Sequence, residues 1–207
     1  MVEINPSAED FYRKVIEQRV PHKTKDKALA DFLKVLANSG SYGLFVEVNI
    51  ERKKKEKAIS YFSGESKGRV DSDYIEKPGA WYFPPLASLI TAGGRLLLAM
   101  LEKSVQERGG GYLFCDTDSL CIVGSEQGGF IECQGGQTRR AGEVGIKVLS
   151  LDEVKQIAAS FRKLNPYDPA LVPEILKIED VNFVDYKTDK PFRQLFGCAI
   201  SAKRYAL

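Results

Sequence analysis

Apolar residues recur at helical spacing in four stretches of the chain, which predict helices over about 7–20, 24–39, 86–108 and 150–164. The second helix begins near Thr24, a candidate N-cap, and its predicted buried stripe is formed by Ala28, Leu29, Phe32, Leu33 and Leu36. The third follows two prolines and has an apolar face broad enough for a core helix. The fourth begins with the capping-box pattern Ser-Leu-Asp-Glu.

Strands are predicted between and after these helices, at about 44–50, 58–62, 112–123 and 195–200. The segment 112–123 has two apolar runs around a polar centre, which predicts a buried hairpin with acidic residues at its turn. The charged run 51–57 favours a solvated hairpin or loop over a phosphate-binding patch. Seven glycines within 124–145 predict either a flexible excursion or a lengthened hairpin. Helices and strands alternate without a regular βαβ order, so the predicted fold class is α+β.

The composition of the 207 residues is that of an ordinary globular protein, with 43% hydrophobic and 28% charged residues. A net charge of +2 means that any nucleic-acid surface must be a local patch. Four cysteines without a C-x-x-C pair, and one histidine, disfavour a zinc site or a disulfide scaffold, and we expect reduced, mostly buried thiols. The longest apolar run, 86–101, contains Arg95 and is too short to span a bilayer, and the N-terminus has no signal pattern. We expect an intracellular, cytoplasmic protein with no membrane partner.

The most informative element is Asp116-Thr117-Asp118-Ser119, in the centre of the predicted hairpin. Strand alternation would put Asp116 and Asp118 on one face, roughly 6–7 Å apart and among apolar neighbours. Two carboxylates in such surroundings repel each other and lose hydration, and a divalent cation such as Mg²⁺ relieves both costs. The alternative is that Asp, Thr and Ser are turn-forming residues at an exposed tip. The tetrapeptide alone leaves both interpretations open.

Two further segments carry groups suited to phosphate chemistry. Lys34 and Asn38 are four residues apart, so they lie on one face of the second helix, where they are able to grip a triphosphate. Lys203-Arg204-Tyr205 offers two cations beside an aromatic ring after an apolar strand. Taken singly, a lysine near a helix end and a surface Lys-Arg-Tyr triplet are common features without a function.

Together and in this order, the segments resemble the motifs of family B DNA polymerases. Lys34, Asn38-Ser39 and Tyr42-Gly43 resemble the fingers motif K-x-x-x-N-S-x-Y-G, and Phe114–Ser119 resembles the palm motif Y-x-D-T-D-S. Residues 201–205 resemble K-K-R-Y at the palm–thumb border, and 89–95 resembles the helix that precedes the palm hairpin. The ordered set spans about 26–205, most of the chain, and D-T-D-S is its most specific match.

The chain departs from the family pattern in several places. One extra residue separates Asn38 from Tyr42, Phe114 replaces the usual tyrosine, and Ala202 replaces the first lysine of K-K-R-Y. The first palm motif, D-x-x-S-L-Y-P, has no counterpart, and Asp10-Phe11-Tyr12-Arg13 does not fit it. An exonuclease region and most of the thumb are absent as well. We therefore expect a fragment of a larger polymerase, whose remainder is a partner.

The resemblance implies a DNA-directed DNA polymerase of DNA replication, a nucleotidyltransferase that extends a primer with deoxynucleoside triphosphates by two-metal Mg²⁺ chemistry. The implied catalytic residues and metal ligands are Asp118, as the direct ligand, and Asp116, acting through water or by shaping the site. Thr117 and Ser119 would orient the turn. The implied nucleotide-binding residues are Lys34, Asn38 and Tyr42. The implied contacts to primer–template DNA come from Lys203 in the minor groove, Arg204 at a phosphate and Tyr205 at the adjacent backbone.

The resemblance also implies an organisation of the chain. Residues 1–43 would be a helical fingers-like segment, and 44–207 a palm-like α+β domain with antiparallel β-sheet and packed helices, ending at the palm–thumb border. Because the first palm carboxylate is missing, we expect the isolated chain to be inactive and its Mg²⁺ site incomplete. The alternative is a non-catalytic nucleic-acid-binding or scaffolding domain derived from a polymerase palm, which the same missing carboxylate and the basic run 52–57 also favour.

Overall fold

The computed structural model describes residues 10–39, 43–136, 138–184, 191–193, 195–201 and 204–206, except for the side chains of 53–58. The helices of this part are α1 (Phe11–Lys25), α2 (Lys27–Ser39), α3 (Pro84–Glu107) and α4 (Leu151–Ser160). The strands are β1 (Val48–Ser63), β2 (Ser66–Pro78), β3 (Tyr112–Asp116), β4 (Ser119–Ile122), β5 (Gly124–Ser125), β6 (Gly129–Glu132), β7 (Thr138–Arg140), β8 (Glu143–Ser150), β9 (Cys198–Ser201) and β10 (Arg204–Ala206). Helices make up 40% and strands 33%, which confirms the predicted α+β class.

The chain forms two compact units, one of Met1–Pro21 with Gly93–Leu207 and the other of His22–Ala92. The larger unit contains β3 to β10 and α4, and the smaller unit contains α2 and the β1–β2 ribbon. The predicted division at residue 43 separates a fingers-like from a palm-like part, so it stays a prediction.

The first two helices differ from their predicted bounds. Helix α1 does not end before Pro21 but continues through it. Proline removes one intrahelical hydrogen bond, and helical hydrogen bonding then resumes, with the Asp26 amide bonded to the carbonyl of His22. Thr24 lies inside α1 and is not the N-cap of α2. The carboxylate of Asp26 accepts the Leu29 amide at 3.0 Å instead, which is the N-cap geometry.

The buried side of α2 also differs from the predicted stripe. Ala30 and Leu33 are buried, but Phe32 is 60% exposed and Ala28 is exposed. The buried face of the helix is therefore shifted by about one residue from the predicted stripe. Hydrophobic spacing identifies an apolar stripe, but it does not determine which side of that stripe packs against other residues.

The segment 44–63 forms a 3₁₀ turn and one long strand rather than two strands separated by a loop. Leu44–Val46 is a 3₁₀ turn after Gly43, which has φ +112°, and β1 then runs unbroken to Ser63. Strand β1 pairs antiparallel with β2, and the register shifts between Arg52 and Lys57. A turn between Ser63 and Ser66 joins β1 to β2, and the backbone of the charged run 51–57 lies within the ribbon, as the predicted hairpin alternative has it.

The glycine-rich region folds as a small sheet separate from the β3–β4 hairpin, so it is neither a lengthened form of that hairpin nor an unpaired excursion. Strand β8 pairs with β5 in parallel and with β6 and β7 antiparallel. Ala141 and Gly142 both have positive φ (51° and 90°), as a tight two-residue turn between β7 and β8 requires. Gly145 pairs with both β6 and β7, and a Cβ added there would collide with the carbonyl of Ile131.

Helix α3 has the predicted bounds within one or two residues, but most of it is not a core helix. Only Val105 is buried, whereas Leu89 and Leu96 are 69% and 62% exposed. Its 24 residues include an 18-residue window of mean hydropathy 1.4, so by length and composition alone it is able to cross a membrane, contrary to the estimate from the apolar run. Core helices and signal sequences pass the same test, and the intracellular location stays a prediction.

The core of the larger unit joins the end of α3 to β8 and α4. It is built from Val105, Leu149, Ile157 and Phe161. The predicted capping box begins α4 where expected: Ser150 Oγ accepts the Glu153 amide at 3.1 Å, and Glu153 accepts the Ser150 amide at 2.8 Å. A 3₁₀ turn follows α4 and ends at Leu164. The helical segment therefore ends at the predicted residue, although its last four residues are 3₁₀ rather than α-helical.

Helix α1 is fastened to the loop that follows α4. The buried carboxylate of Glu17 accepts the Asp168 backbone amide at 2.8 Å and the Arg13 guanidinium at 2.8 Å. The hydrogen bond from Arg13, reinforced by that from Asp168, lowers the pKa of Glu17 below its ordinary range. The contact joins residues 151 positions apart and holds a charged group at a buried position.

The four cysteines are free thiols, as expected, but they are not mostly buried. Cys115 and Cys198 are exposed, and Cys121 and Cys133 are half-buried. Burial raises the pKa of the Cys121 thiol. The two exposed thiols lie on short strands with one open face, where a small side chain is not covered.

Candidate catalytic hairpin

Strands β3 and β4 form the predicted hairpin, with Asp116 paired to Ser119 across the turn. Leu120 and Ile122 pack against the core of the larger unit. The amide of Val123 bonds to Gly111, and its carbonyl accepts the amide of Leu149 on β8. The hairpin is therefore fixed at its base, although its strands are half-buried rather than buried as predicted.

The turn itself consists of Thr117 and Asp118, so Asp118 does not lie on a strand. Thr117 has φ +55°, and the Asp118 amide donates to the Asp116 carbonyl at 2.7 Å, which closes a γ-turn. Ser119 Oγ also donates to that carbonyl, at 3.0 Å. The prediction that strand alternation places both carboxylates on one face is wrong, because β3 ends at Asp116 and the left-handed residue redirects the chain.

The carboxylate of Asp116 is held by two hydroxyl groups. Thr117 Oγ1 donates to Oδ1 at 2.9 Å, and the hydroxyl of Tyr205 donates to Oδ2 at 2.6 Å. Asp116 is half-buried. Both of its oxygens thus have a donor from the protein, and the side chain is oriented from two sides.

Tyr205 reaches this carboxylate from β10, which pairs with β9. Its ring stacks on Phe114 with centroids 3.7 Å apart and planes at 16°, and Tyr205 is 37% exposed. Phe114 and Asp116 lie on the same face of β3, because they are two residues apart. One tyrosine therefore contacts two positions of the palm-like motif, through its ring and its hydroxyl.

Asp118 has the opposite environment. It is exposed, and within the part of the chain that the structure describes its carboxylate makes no hydrogen bond and no ion pair. Solvent screens its charge, so the low-dielectric argument made from the apolar neighbours does not apply to this side chain. Asp118 is thus the carboxylate of the pair that is available to an external ligand.

The fit of this turn to a metal ion is partial. Asp118 is able to offer a direct oxygen ligand to a metal ion. Asp116, whose oxygens accept hydrogen bonds from Thr117 and Tyr205, is able to orient the turn that carries Asp118. Among the described residues no group of three or more His, Cys, Asp or Glu side chains is placed to hold a metal ion. One available carboxylate is too few ligands to hold a metal ion, so an ion here would need further ligands from outside the described residues.

The base of the hairpin has a second tyrosine–carboxylate contact. Tyr112 at the start of β3 donates to Glu102 on α3 at 2.9 Å. That hydrogen bond, aided by burial and the Glu102 charge, raises the pKa of the Tyr112 hydroxyl. The contact ties β3 to α3 at the end far from the turn.

The other predicted site residues are placed as follows. Lys34 is exposed and Asn38 half-buried, one turn apart on α2 in the smaller unit. Arg204 is exposed on β10, where it pairs with Ser201. Tyr42 and Lys203 lie outside the described residues. The structure thus brings Tyr205 to Asp116, two residues from Asp118, and the nucleotide-binding role of α2 stays a prediction.

Sequence reasoning missed the contact between Tyr205 and Asp116. It assigned Tyr205 to the DNA backbone and noted Phe114 only as a departure from the family tyrosine. The two contacting residues are 89 positions apart, and no local pattern signals such a pair. The sequence offered one signal of this contact: Phe114 and Tyr205 are aromatic residues of two motifs that were expected to lie in the same domain.

Comparisons of the chain with protein-family models, with curated proteins and with solved structures found no match.

Proposed function

We propose that this chain supplies the fingers and the second half of the palm of a family B-type DNA polymerase. In this proposal it takes part in template-directed transfer of deoxynucleotides to a primer 3′ end and needs a further polypeptide segment for activity. The proposal starts from three ordered motifs and from the geometry around one of them.

The observation that carries the proposal is the hydrogen bond between Tyr205 and Asp116, together with the stacking of Tyr205 on Phe114. It joins the K-K-R-Y-like segment to the D-T-D-S hairpin, two segments that the resemblance puts in one catalytic domain. A turn-forming tetrapeptide and a surface triplet that matched by chance would have no reason to meet across 89 residues. This contact therefore favours the polymerase interpretation over unrelated coincidences.

In the proposed chemistry the two aspartates have different roles. The exposed Asp118 binds the ion directly, whereas Asp116 is a positioning residue whose carboxylate is held by Thr117 and Tyr205. Bound Mg²⁺ would supply activation of the primer 3′ oxygen and stabilisation of charge on the transferred phosphate. The γ-turn and the Ser119 hydroxyl keep Asp118 at the tip, directed away from the packed base of the hairpin.

In this proposal the substrates are held by cationic, amide and aromatic side chains of the motifs. Lys34 and Asn38 on one face of α2 contact the triphosphate, and Tyr42 packs beside the new base pair. Lys203 and Arg204 contact the primer strand, with affinity that falls as salt rises. The partners are thus primer–template DNA, deoxynucleoside triphosphates and the polypeptide that carries the first palm carboxylate.

The test is primer extension with Mg²⁺ by the purified full chain, alone and with a separately expressed polypeptide that carries an exonuclease region and D-x-x-S-L-Y-P. We expect no extension by the chain alone and restored extension by the mixture. Asp118→Asn should abolish the restored activity. Asp152→Asn, which neutralises an exposed carboxylate on α4, should leave it unchanged. Extension by the chain alone that depends on Asp118 would show that the catalytic site is complete.

A non-catalytic nucleic-acid-binding domain is the second candidate, and a specific observation favours it. Both oxygens of Asp116 are engaged by protein hydroxyls, an arrangement that stabilises the turn whether or not a metal ion binds. This candidate predicts that DNA binding is the same for the Asp118→Asn variant and that no extension appears in any mixture. The two outcomes separate the candidates in one set of assays.

A further inference from the structure

The closed end of the β1–β2 ribbon carries an exposed aromatic ring on β1 and two cations beside it on β2. Phe62 lies directly opposite Lys67, and Ser60 lies directly opposite Arg69. Directly opposed residues point to the same side of a ribbon, and so do residues two positions apart on one strand. Phe62, Lys67 and Arg69 therefore share one face, which we call the ribbon-end face.

The other side of the ribbon end is closed by a contact within the hairpin. The ring of Tyr61 covers Gly68 directly opposite, so closely that a Cβ added to Gly68 would meet the ring. This cross-strand packing holds the two strands in register. It leaves Phe62, on the opposite face, 80% exposed.

An exposed phenylalanine alone is an ordinary surface feature, but its neighbours give it a chemical character. Lys67 and Arg69 are exposed, and within the described part of the chain neither forms an ion pair. They are separated by about 6–7 Å along β2, the repeat of two strand residues. Asp71, the next exposed residue on that side of β2, limits the cationic part of the face to Lys67 and Arg69.

We propose that the ribbon-end face binds single-stranded nucleic acid, with one base stacked on Phe62 and the flanking phosphates held by Lys67 and Arg69. Aromatic rings and cations in alternation are the groups by which proteins hold single strands without sequence preference. A single strand is favoured over a duplex, because the faces of paired bases are already stacked on one another and leave no surface for the ring. The cations complement the phosphate charge.

This inference goes beyond the proposed polymerase function and does not depend on it. The three residues lie outside every polymerase-like motif, and the binding needs neither Mg²⁺ nor a nucleotide. Failure of the primer-extension test therefore leaves the binding proposal to its own assay, and failure of the binding assay leaves the polymerase proposal to the extension test.

The experiment measures binding of the full chain to a fluorescein-labelled oligo-dT of about 16 nucleotides, the upper end of common site sizes, without Mg²⁺. Phe62→Ala should weaken binding about tenfold, because stacking of one base is lost. Phe62→Trp should keep the affinity, and its added fluorescence should be quenched by the oligonucleotide beyond the signal of Trp81. Val70→Ala, on the opposite face of the ribbon end, should leave the affinity unchanged.

The salt dependence tests the two cations. In the double variant Lys67→Ala with Arg69→Ala, the slope of log K against log salt should fall by about 1.4, which is two phosphate contacts on a single strand. The matched control removes two exposed cations elsewhere, with Lys103→Ala and Lys163→Ala, and should leave the slope unchanged. Because the six substituted side chains at the ribbon end and in the control are exposed, thermal unfolding should be close to that of the wild type.

Any of three results of the oligonucleotide assays would overturn the proposal: unchanged affinity of the Phe62→Ala variant, equal effects of the two double variants, or tighter binding to a duplex of the same sequence than to the single strand. Binding of the ribbon-end face to anionic lipid vesicles without binding to oligo-dT would assign the surface to a membrane instead.

Discussion

The hydroxyl of Tyr205 donates a 2.6 Å hydrogen bond to the carboxylate of Asp116, and the two residues are 89 positions apart. The ring of the same tyrosine stacks on Phe114, which lies two residues before Asp116 on the same face of β3. The contact fixes the orientation of Asp116 and leaves Asp118 exposed at the tip. Of the two aspartates on either side of Thr117, Asp116 is therefore held by the protein and Asp118 is available to an external ligand.

Removal of this hydroxyl should destabilise the hairpin. We expect Tyr205→Phe to lower the free energy of unfolding by about 1 kcal/mol, because one hydrogen bond to a carboxylate is lost while the stacked ring remains. Urea unfolding monitored by circular dichroism measures the change. Tyr205→Ala should cost about 1 kcal/mol more, since the stacking on Phe114 is lost as well. Equal stability of the wild type and Tyr205→Phe would contradict the role given to this contact.

Backbone crowding at Gly145 should make it intolerant of any side chain. Gly145→Ala should destabilise the chain by about 2 kcal/mol or more, because the Cβ collides with the Ile131 carbonyl on β6. Gly94→Ala on α3 is the matched control, since an added Cβ meets nothing within 4 Å there. That change should stabilise the chain by about 0.5–1 kcal/mol through helix propensity. Chemical unfolding of both variants should give shifts of opposite sign.

The tight turn between β7 and β8 offers a stabilising change. Ala141 has φ +51° and precedes Gly142, whereas Asn is the residue that most readily takes this conformation in a two-residue turn. Ala141→Asn should raise the free energy of unfolding by about 1 kcal/mol, the order of the left-handed penalty. Ala141→Val should lower it, because a β-branched side chain clashes in that conformation. Thermal unfolding that ranks the three residues in another order would contradict this account of the turn.

Two glutamates predict a loss of stability in acid. The hydrogen bond from Arg13 lowers the pKa of Glu17, and the hydrogen bond from Lys147 lowers that of Glu153, from an ordinary value of 4.5. Their folded-state pKa values lie below the unfolded ones, so their stabilisation is fully present above pH 4.5 and is lost as the pH falls through the folded values.

Urea unfolding between about pH 6 and pH 3 checks this prediction. The Glu17→Gln and Glu153→Gln variants should each be less stable than the wild type at pH 6 and should show a flatter decline in acid. Gln156→Ala, at an exposed uncharged position of α4, is the control and should keep the slope of the wild type. A slope that is unchanged in both glutamine variants would assign the acid sensitivity to other carboxylates.

Much of the local structure could be predicted from neighbouring residues. The capping box at Ser150 and the acidic turn after Asp116 were located correctly, because each depends on contacts within about four positions. The same reasoning failed where two local signals compete. Pro21 predicted a helix end, yet the helix continues through it despite the cost of proline in a helix interior, and the Asp26 amide again bonds to the carbonyl of His22.

The candidate site shows the limit more sharply. Residue types and spacing pointed to Asp116 and Asp118 as a pair, yet strand periodicity does not extend through a turn in which Thr117 is left-handed. Exposure of Leu89 and Leu96 on α3 was equally out of reach, because hydrophobic periodicity defines a face and does not say what covers it.

The sequence by itself determined the approximate positions of the four helices, the capping box at Ser150 and the acidic turn of the β3–β4 hairpin, since these follow from interactions between near neighbours in the chain. Only the tertiary structure decided that Tyr205 holds Asp116 and leaves Asp118 open, and that Glu17 binds the loop at Asp168. Contacts between residues 89 and 151 positions apart depend on how whole elements pack, and no local pattern encodes that packing.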